Sequence, residues 1–250
     1  MELGIGGRTA LVTGASSGIG RGIAVALGQE GVQLAVSARR ADRLEALAGE
    51  VKAGGAPHPL VITCDFLAED APEVISRAVL GAFGRVDILV NNAGGSRPFS
   101  LATGEVEWDE AITLNFTRHR QLTERLLPGM IEAGWGRIIN ITGKSEPDGV
   151  NGAFAAKAAL HSWAKGLSRE VGPKGITVNS IPPGRIMSEQ IERNYSPEYR
   201  AQQSEHEIPV GAYGQPADIA NLVCFLASPL ARYITGAVIP VDGGLRRYQF

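Results

Sequence analysis

The chain has 250 residues, of which 44% are hydrophobic and 20% charged, with a formal net charge of −2. This is the composition of a globular protein with ample material for a core, and the near-neutral balance gives no footprint for nucleic acid or an anionic membrane. Two cysteines, Cys64 and Cys224, each sit inside an apolar run, which points to buried reduced thiols rather than a disulfide framework.

In chain order, apolar runs alternate with helix-period segments. Ala10–Thr13 reads as a strand, followed by a glycine-rich turn and a helix over Ile19–Glu30. Strands Leu34–Ser37, Leu60–Cys64 and Ile88–Asn91 then alternate with helices Arg43–Lys52 and Pro72–Ala82. A long helix is expected over Glu107–Leu127, a strand over Ile138–Thr142, a helix over Phe154–Val171 and a strand over Thr177–Ile181. Helix Ala217–Leu226 and strand Val238–Val241 complete the series. Strands that are apolar throughout and separated by helices describe a parallel sheet covered on both faces. Right-handed crossovers make it a doubly wound α/β three-layer sandwich around a mostly parallel sheet of seven strands.

No repeat, linker or low-complexity tract divides the chain, so residues 1–250 are read as one domain. Residues 186–215 stand out as polar and irregular, with Pro197, Pro209 and three tyrosines, Tyr195, Tyr199 and Tyr213. Ligands of open parallel sheets sit at the carboxyl ends of the strands, so this segment is placed to act as a substrate lid. The first eight residues are too short and glycine-rich for a signal peptide, and no apolar stretch reaches membrane-spanning length. A cytoplasmic location with no membrane partner is the expectation.

The first motif is Gly14-Ala15-Ser16-Ser17-Gly18-Ile19-Gly20, between a strand and a helix. Glycines there permit a tight turn and let backbone N–H groups approach a pyrophosphate at the helix's positive end. Ser16 and Ser17 add hydroxyls that either contact phosphate or cap the helix. At the end of the second strand, an NAD site typically places an acid that accepts from the ribose hydroxyls. Here the residues are Ser37-Ala38-Arg39-Arg40, with no acid before Asp42. A guanidinium forks well onto phosphate oxygens, so Arg39 favours NADP, with NAD as the second choice.

With Asn91-Asn92-Ala93-Gly94 and Pro183-Gly184 further along, the chain resembles the short-chain dehydrogenase/reductase family over essentially its whole length, close to the β-ketoacyl reductases. The resemblance implies a Rossmann fold, NAD(P)-dependent oxidoreduction of a small carbonyl/alcohol pair, and a homotetramer or homodimer. It implies that Asp65, with Phe66 beside it, contacts adenine, and that Asn92, Ala93 and Gly94 brace the sheet and line the nicotinamide side. It places the Pro183, Gly184, Ile186 and Ser188 segment on the carboxamide, and Lys157 on the ribose.

For catalysis the family uses a serine, a tyrosine, a lysine and an asparagine. Hydride transfer to a carbonyl creates an alkoxide that needs a proton and hydrogen-bond donors. Asn115 matches the asparagine and Lys157 the lysine, but Gly143 stands in the serine's place and Ala153 in the tyrosine's. The segment between these two is also shorter than the family's spacing. Three readings remain open. Neighbours (Ser145, Lys144 or a lid tyrosine) substitute; Lys157 binds nucleotide beside other chemistry such as dehydration or isomerisation; or the protein is a nucleotide-binding pseudoenzyme acting as sensor or partner. Lys144 to Gly149 also reads as a plain polar turn. His58, His119, His161 and His206 lack ligand spacing, so no metal site is expected. His161 lies one helical turn beyond Lys157, where contact with a partner helix is favoured over a role in proton relay.

Overall fold

The computed structural model describes residues 2–143, 147 and 149–247. Six strands, β1 (Thr9–Thr13), β2 (Gln33–Ala38), β3 (Leu60–Thr63), β4 (Ile88–Asn91), β5 (Gly136–Ile141) and β6 (Ile176–Ile181), form one parallel sheet in the order β3-β2-β1-β4-β5-β6. Helices α1 (Gly18–Gln29), α2 (Ala41–Ala53), α3 (Ala71–Phe83), α4 (Glu105–Ile112), α5 (Arg118–Ala133), α6 (Gly152–Val171), α7 (Glu189–Asn194), α8 (Pro197–His206) and α9 (Pro216–Ala227) connect them.

The strands are apolar at successive positions because each side of the sheet has its own core. In β1, Ala10 and Val12 pack with Ile23 of α1, Leu44 of α2 and Val223 of α9, whereas Leu11 joins Ile75 of α3, Leu122 of α5 and Ala164 of α6. Leu34, Val36, Ile88 and Val90 repeat the first side, and Ala35 and Leu89 the second. This period-2 partition gives the three layers expected from the pattern.

Four expectations change in detail. The sheet has six strands rather than seven. The Val238–Val241 run lies beside β6 and makes only isolated parallel bridges, Ser180↔Val238 and Pro183↔Val241. Ser180 N–H donates to Ala237 O, Ile239 N–H to Ser180 O, Val241 N–H to Pro182 O and Gly184 N–H to Val241 O. The rung missing from this ladder is the one that residue 182 would donate, and proline has no N–H. The long helix expected over Glu107–Leu127 is interrupted by a π-helical turn at Thr113–Thr117, and its second half, α5, runs past Pro128 to Ala133. Burial of Leu126 and Met130 on either side of the proline outweighs one lost backbone bond. Gly134, in the left-handed region at φ 62°, ends the helix.

Within 186–215, two short helices form where the sequence suggested irregular chain. Ser188 Oγ accepts from Ile191 N–H at 3.3 Å to start α7, and Ser196 Oγ accepts from Tyr199 N–H at 3.2 Å to start α8. Cys224 is buried as expected, but Cys64 is half-exposed beside the cleft described below. It follows the last residue of β3, where the chain opens onto that cleft.

Truncating a shared core residue should cost far more than truncating a surface one. Leu89→Ala is expected to destabilise by about 2–5 kcal/mol, and Leu230→Ala, at 48% exposure, by no more than about 0.5 kcal/mol. Urea midpoints of the two variants check this, and equal losses would contradict the packing described.

Candidate active site

At the carboxyl ends of β1 and β4, where the strand order reverses, a cleft of about 370 Å³ opens. Its floor is laid by the first glycine turn. Gly14 has φ 67° and Gly18 φ 55°, conformations that side chains disfavour. A Cβ on Gly14 would lie 2.8 Å from Ala93 Cα, and one on Gly20 would collide with the Asn92 side chain and the Gly14 carbonyl. Backbone therefore lies bare along this turn, the cradle a pyrophosphate requires.

Asn92 and Thr13 hold the turn in place. Asn92 Nδ2 donates to Thr13 O at 2.8 Å and Gly14 O at 3.1 Å. Thr13 Oγ1 accepts from the N–H groups of Asn92 and Ala93, both at 3.0 Å, and donates to Val90 O at 3.3 Å. Ser17 occupies the N-cap of α1, yet its hydroxyl makes no capping bond. Ser16 Oγ instead meets Arg40, whose Nε and Nη2 lie at 3.4 and 3.2 Å. Ile19 packs against the core behind the turn, leaving only its backbone to serve a ligand.

Arg39, Arg40, Asp65, Phe66 and Cys64 line one end of the cleft. Asp65 Oδ1 accepts from Leu67 N–H at 3.1 Å, and Phe66 tilts against the His119 ring with centroids 5.0 Å apart. Burial pushes the Cys64 thiol above its ordinary value, followed by the charges of Asp70 and Asp65, so it is no ready nucleophile. Ser96, Arg97, Phe99, Glu107 and Glu110 line the other end, with Arg97 paired to Glu110 and Phe99 edge-on to Trp108 at 5.0 Å. Sequence reading did not find this half, because loop residues with no periodicity (Ser96, Arg97 and Phe99) join Glu107 and Glu110 of α4 only in the folded chain.

Between the two ends stand Ala93, Gly94, Asn115 and Ala153. The π turn adds one residue to the helix and points Asn115 inward, a device common at functional sites. Asn115 Nδ2 donates to Ala111 O at 2.9 Å and Gly95 O at 3.0 Å, and its Oδ1 accepts from Gly95 N–H at 3.2 Å. Lys157 runs past the same point. A Cβ on Gly94 would sit 2.9 Å from Asn115 Oδ1 and 3.9 Å from Lys157 Cε, and one on Gly143 would sit 3.0 Å from Lys157 Cδ. Lys157 Nζ donates to Thr142 O at 3.0 Å, its sole partner among the described residues. Desolvation pushes its pKa down to about 8.

Other sequence candidates are placed differently. Pro183, Gly184, Ile186 and Ser188 lie between β6 and α7, with Ser188 Cβ 3.4 Å from where a Cβ of Gly18 would be. The Ser188 hydroxyl caps α7, as noted above. Tyr195 and Tyr199 stack on each other at 5.3 Å, Tyr213 bonds to Gln203, and none of the three lines the cleft. Lys144, Ser145, Glu146 and Asp148 lie outside the described residues. His161 turns toward β5, its Nε2 at 2.7 Å from Thr142 Oγ1.

One buried row escaped the sequence reading. His119 and Thr123 follow Asn115 at four-residue steps down α5, and Asn91 and Asn140 face them from β4 and β5. Asn91 Nδ2 donates to Thr123 Oγ1 at 3.1 Å and Asn140 Oδ1 at 2.9 Å, and Thr123 Oγ1 donates to His119 O at 2.7 Å. His119 Nε2 lies 2.7 Å from Ala93 O, so it carries the proton there, and its Nδ1 has no partner. The four-residue spacing of polar side chains on an otherwise apolar helix face was the available signal. Among the described residues no group of His, Cys, Asp or Glu could hold a metal ion, and no helix is long and apolar enough to cross a membrane.

A strand–glycine turn–helix opening onto a doubly wound sheet, with an asparagine and a lysine converging at its switch point, defines the NAD(P)-dependent oxidoreductase class. The family model described as enoyl-(acyl carrier protein) reductase matches residues 14–246, and the chain belongs to the short-chain dehydrogenase/reductase family. It is 38% identical over 243 residues to the 3-oxoacyl-(acyl-carrier-protein) reductase FabG of Staphylococcus epidermidis, covering 95% of this chain and 98% of that protein. The structure of L-sorbose reductase from Gluconobacter frateurii, complexed with NADPH and L-sorbose, is similar with a TM-score of 0.92 at 30% identity, covering 99% and 100% of the two chains. A 7α-hydroxysteroid dehydrogenase complexed with NADH and 7-oxo glycochenodeoxycholic acid is similar with a TM-score of 0.91 at 32% identity, over 97% and 96%.

Burial pushes the His119 pKa down to about 4 from 6.5, against the bond to Ala93 O that raises it. The unfolded chain then binds a proton that the folded one refuses. The stability this group contributes is complete above pH 6.5 and is lost as pH falls from there toward about 4. His119→Leu should flatten the acid limb of the stability curve by on the order of 3 kcal/mol, while lowering stability at pH 7 because Ala93 O loses its donor. Urea titrations at pH 7 and pH 4.5 read both effects, and an unchanged slope would refute the assignment.

Proposed function

We propose that the protein is an NADP(H)-dependent reductase or dehydrogenase acting on a small carbonyl/alcohol pair, with Lys157 taking over proton transfer that its relatives assign to a tyrosine. One observation carries this reading: the Lys157 ammonium has three donors and uses one on Thr142 O, its side chain passes Gly94 at the level of Cε, and its pKa is lowered to about 8.

The cleft suits a dinucleotide. Gly14, Ser16, Ser17, Gly18 and the backbone of Ile19 and Gly20 would hold the pyrophosphate, and Asp65 and Phe66 the adenine. Asn92, Ala93, Gly94, Pro183, Gly184, Ile186 and Ser188 would serve the nicotinamide half. Arg39 is exposed at the cleft and has no hydrogen bond or ion pair with any described residue, so its fork is available to a 2′-phosphate. When bound, the nicotinamide supplies or accepts the hydride. Lys157 gives a proton at the substrate oxygen as charge develops there, and its cation stabilises that charge. Asn115 fixes the loop at Gly95. The dinucleotide in the G. frateurii enzyme supports NADPH, and the steroid dehydrogenase shows that the same fold also takes NADH.

A second reading rests on Gly143 and Ala153, which offer no side-chain donor. A protein with this cleft and no added acid binds NADP(H) without turnover. A panel of ketones and alcohols separates the two: turnover abolished by Lys157→Ala supports the enzyme, and binding without turnover supports the sensor. For the enzyme, kcat/KM for reduction should fall as pH rises through about 8, because Lys157 loses its proton, and a profile flat across that range would refute its role as the acid.

Restoring the missing tyrosine gives a further check. Ala153→Tyr with Gly143→Ser should raise activity on simple ketones, within the about 10²–10⁴ range of general acid catalysis. The gain is limited because a Cβ at 143 would press on Lys157 Cδ at 3.0 Å. A native enzyme slowed by the double change would show that the site is built around Lys157 alone. Cofactor choice is tested by titration: NADPH should bind about tenfold or more tightly than NADH, and Arg39→Ala should remove most of that gap. Equal wild-type affinities would sink the NADP assignment.

A further inference from the structure

We propose that Glu189, from the lid, sets the strength of the NADP(H) preference by competing with the 2′-phosphate for Arg40. The inference rests on the NADP reading and extends it to a residue outside the cofactor motifs. Glu189 lies 149 residues from Arg40 in sequence, yet Arg40 Nη1 donates to its Oε2 at 3.0 Å. Arg43 Nη1 lies 3.2 Å from Oε1 of the same carboxylate. Arg40's remaining donors reach Ser16 Oγ in the glycine turn. One guanidinium thus ties together the phosphate-binding turn, the end of β2 and the first turn of α7.

The three arginines at this end are not equivalent. Arg39 lines the cleft with no partner among the described residues, Arg40 lines it with its charge shared, and Arg43 is turned to Glu189 and Asp42. A phosphate placed by Arg39 and Ser16 falls within reach of Arg40, whose fork is then wanted by two anions. The carboxylate holds the near side of Arg40 and repels the incoming charge. The hydrogen bond from Arg40, followed by the charge of Arg43, keeps the Glu189 carboxyl below its ordinary range, so the anion is present at any working pH. NAD(H), lacking the phosphate, has no quarrel with this pair and leaves the lid attached at α7. NADP(H) draws Arg40 away and loosens that attachment, so lid contact and cofactor identity are coupled through one side chain.

The test uses the full chain and binding as its readout. Glu189→Gln keeps the shape and removes the charge on an exposed side chain. NADPH, titrated by fluorescence, should bind about threefold to tenfold more tightly to this variant, the range of an exposed charge contact, while NADH changes less than about twofold. Adenosine 2′,5′-bisphosphate, titrated by calorimetry, should gain in the same way and 5′-AMP should not, which isolates the 2′-phosphate from any effect on the nicotinamide end. Unchanged or weaker binding of NADPH and of the bisphosphate to Glu189→Gln overturns the inference. Arg39→Ala run alongside separates the two levels. If it costs NADPH affinity while Glu189→Gln changes nothing, the NADP reading stands and the role of Glu189 falls. If neither variant nor the wild type distinguishes NADPH from NADH, both fall.

Discussion

The close approach of the Gly14 turn to the end of β4 is the constraint around which the site is arranged. Only a residue without a Cβ lets the backbone at 14 sit against Ala93, and only then can Asn92 reach across to the Thr13 and Gly14 carbonyls. Thr13 closes the same clamp from beneath by bonding two N–H groups of the facing strand's extension. The clamp joins the two halves of the sheet where their crossovers reverse, which is where a crevice must open. It also presents bare backbone to one end of that crevice and Gly94 to the middle. Asn115 Oδ1 and Lys157 Cε flank Gly94, where a Cβ would lie 2.9 and 3.9 Å from them.

Charge is handled differently at the two ends. At the β2 end Arg40 and Arg43 share the Glu189 carboxylate while Arg39 has no partner among the described residues, all of them exposed, where individual pairs contribute little to stability. In the middle, Lys157 is withdrawn from solvent and pays in pKa, and His119 beside it is held neutral. The buried row of Asn91, Asn140, Thr123 and His119 leaves three polar atoms unpartnered, namely Asn91 Oδ1, Asn140 Nδ2 and His119 Nδ1. Such incomplete satisfaction costs stability, and it is concentrated directly behind the residues proposed to do chemistry.

The substitutions at Gly143 and Ala153 belong to the same local economy of space. Lys157 Cδ lies where a side chain at 143 would begin, and Ala153 is buried beside Gly152, whose own Cβ would strike Phe99 and Ala111. The helix start at Asn151, whose side chain accepts from the N–H groups of Ala153 and Phe154, draws α6 tightly onto the loop after β4. Glycine at 143 and 152 answers to that close packing, whereas Ala153 lines the cleft.

The sequence determined the order of elements, the parallel sheet and the glycine cradle, because each rests on local rules: strands buried on both faces must be apolar throughout, and a phosphate turn must be free of side chains. It also marked Asn115, Lys157, Arg39 and the two gaps, since those stand at fixed distances from the motifs. Tertiary structure decided the rest. Pro182 looks harmless in sequence, yet it removes the one rung that would make Val238–Val241 a seventh strand, because its partner becomes visible only in the folded sheet. The π turn holds Asn115 where it bonds Ala111 O and Gly95 of the loop after β4, a partner that local helix propensity does not name. Arg39 and Arg40 are neighbours of one type, and nothing local distinguishes them. Only the arrival of Glu189 from the far end of the chain ties one and leaves the other open, since a charge is assigned its partner by distance in space.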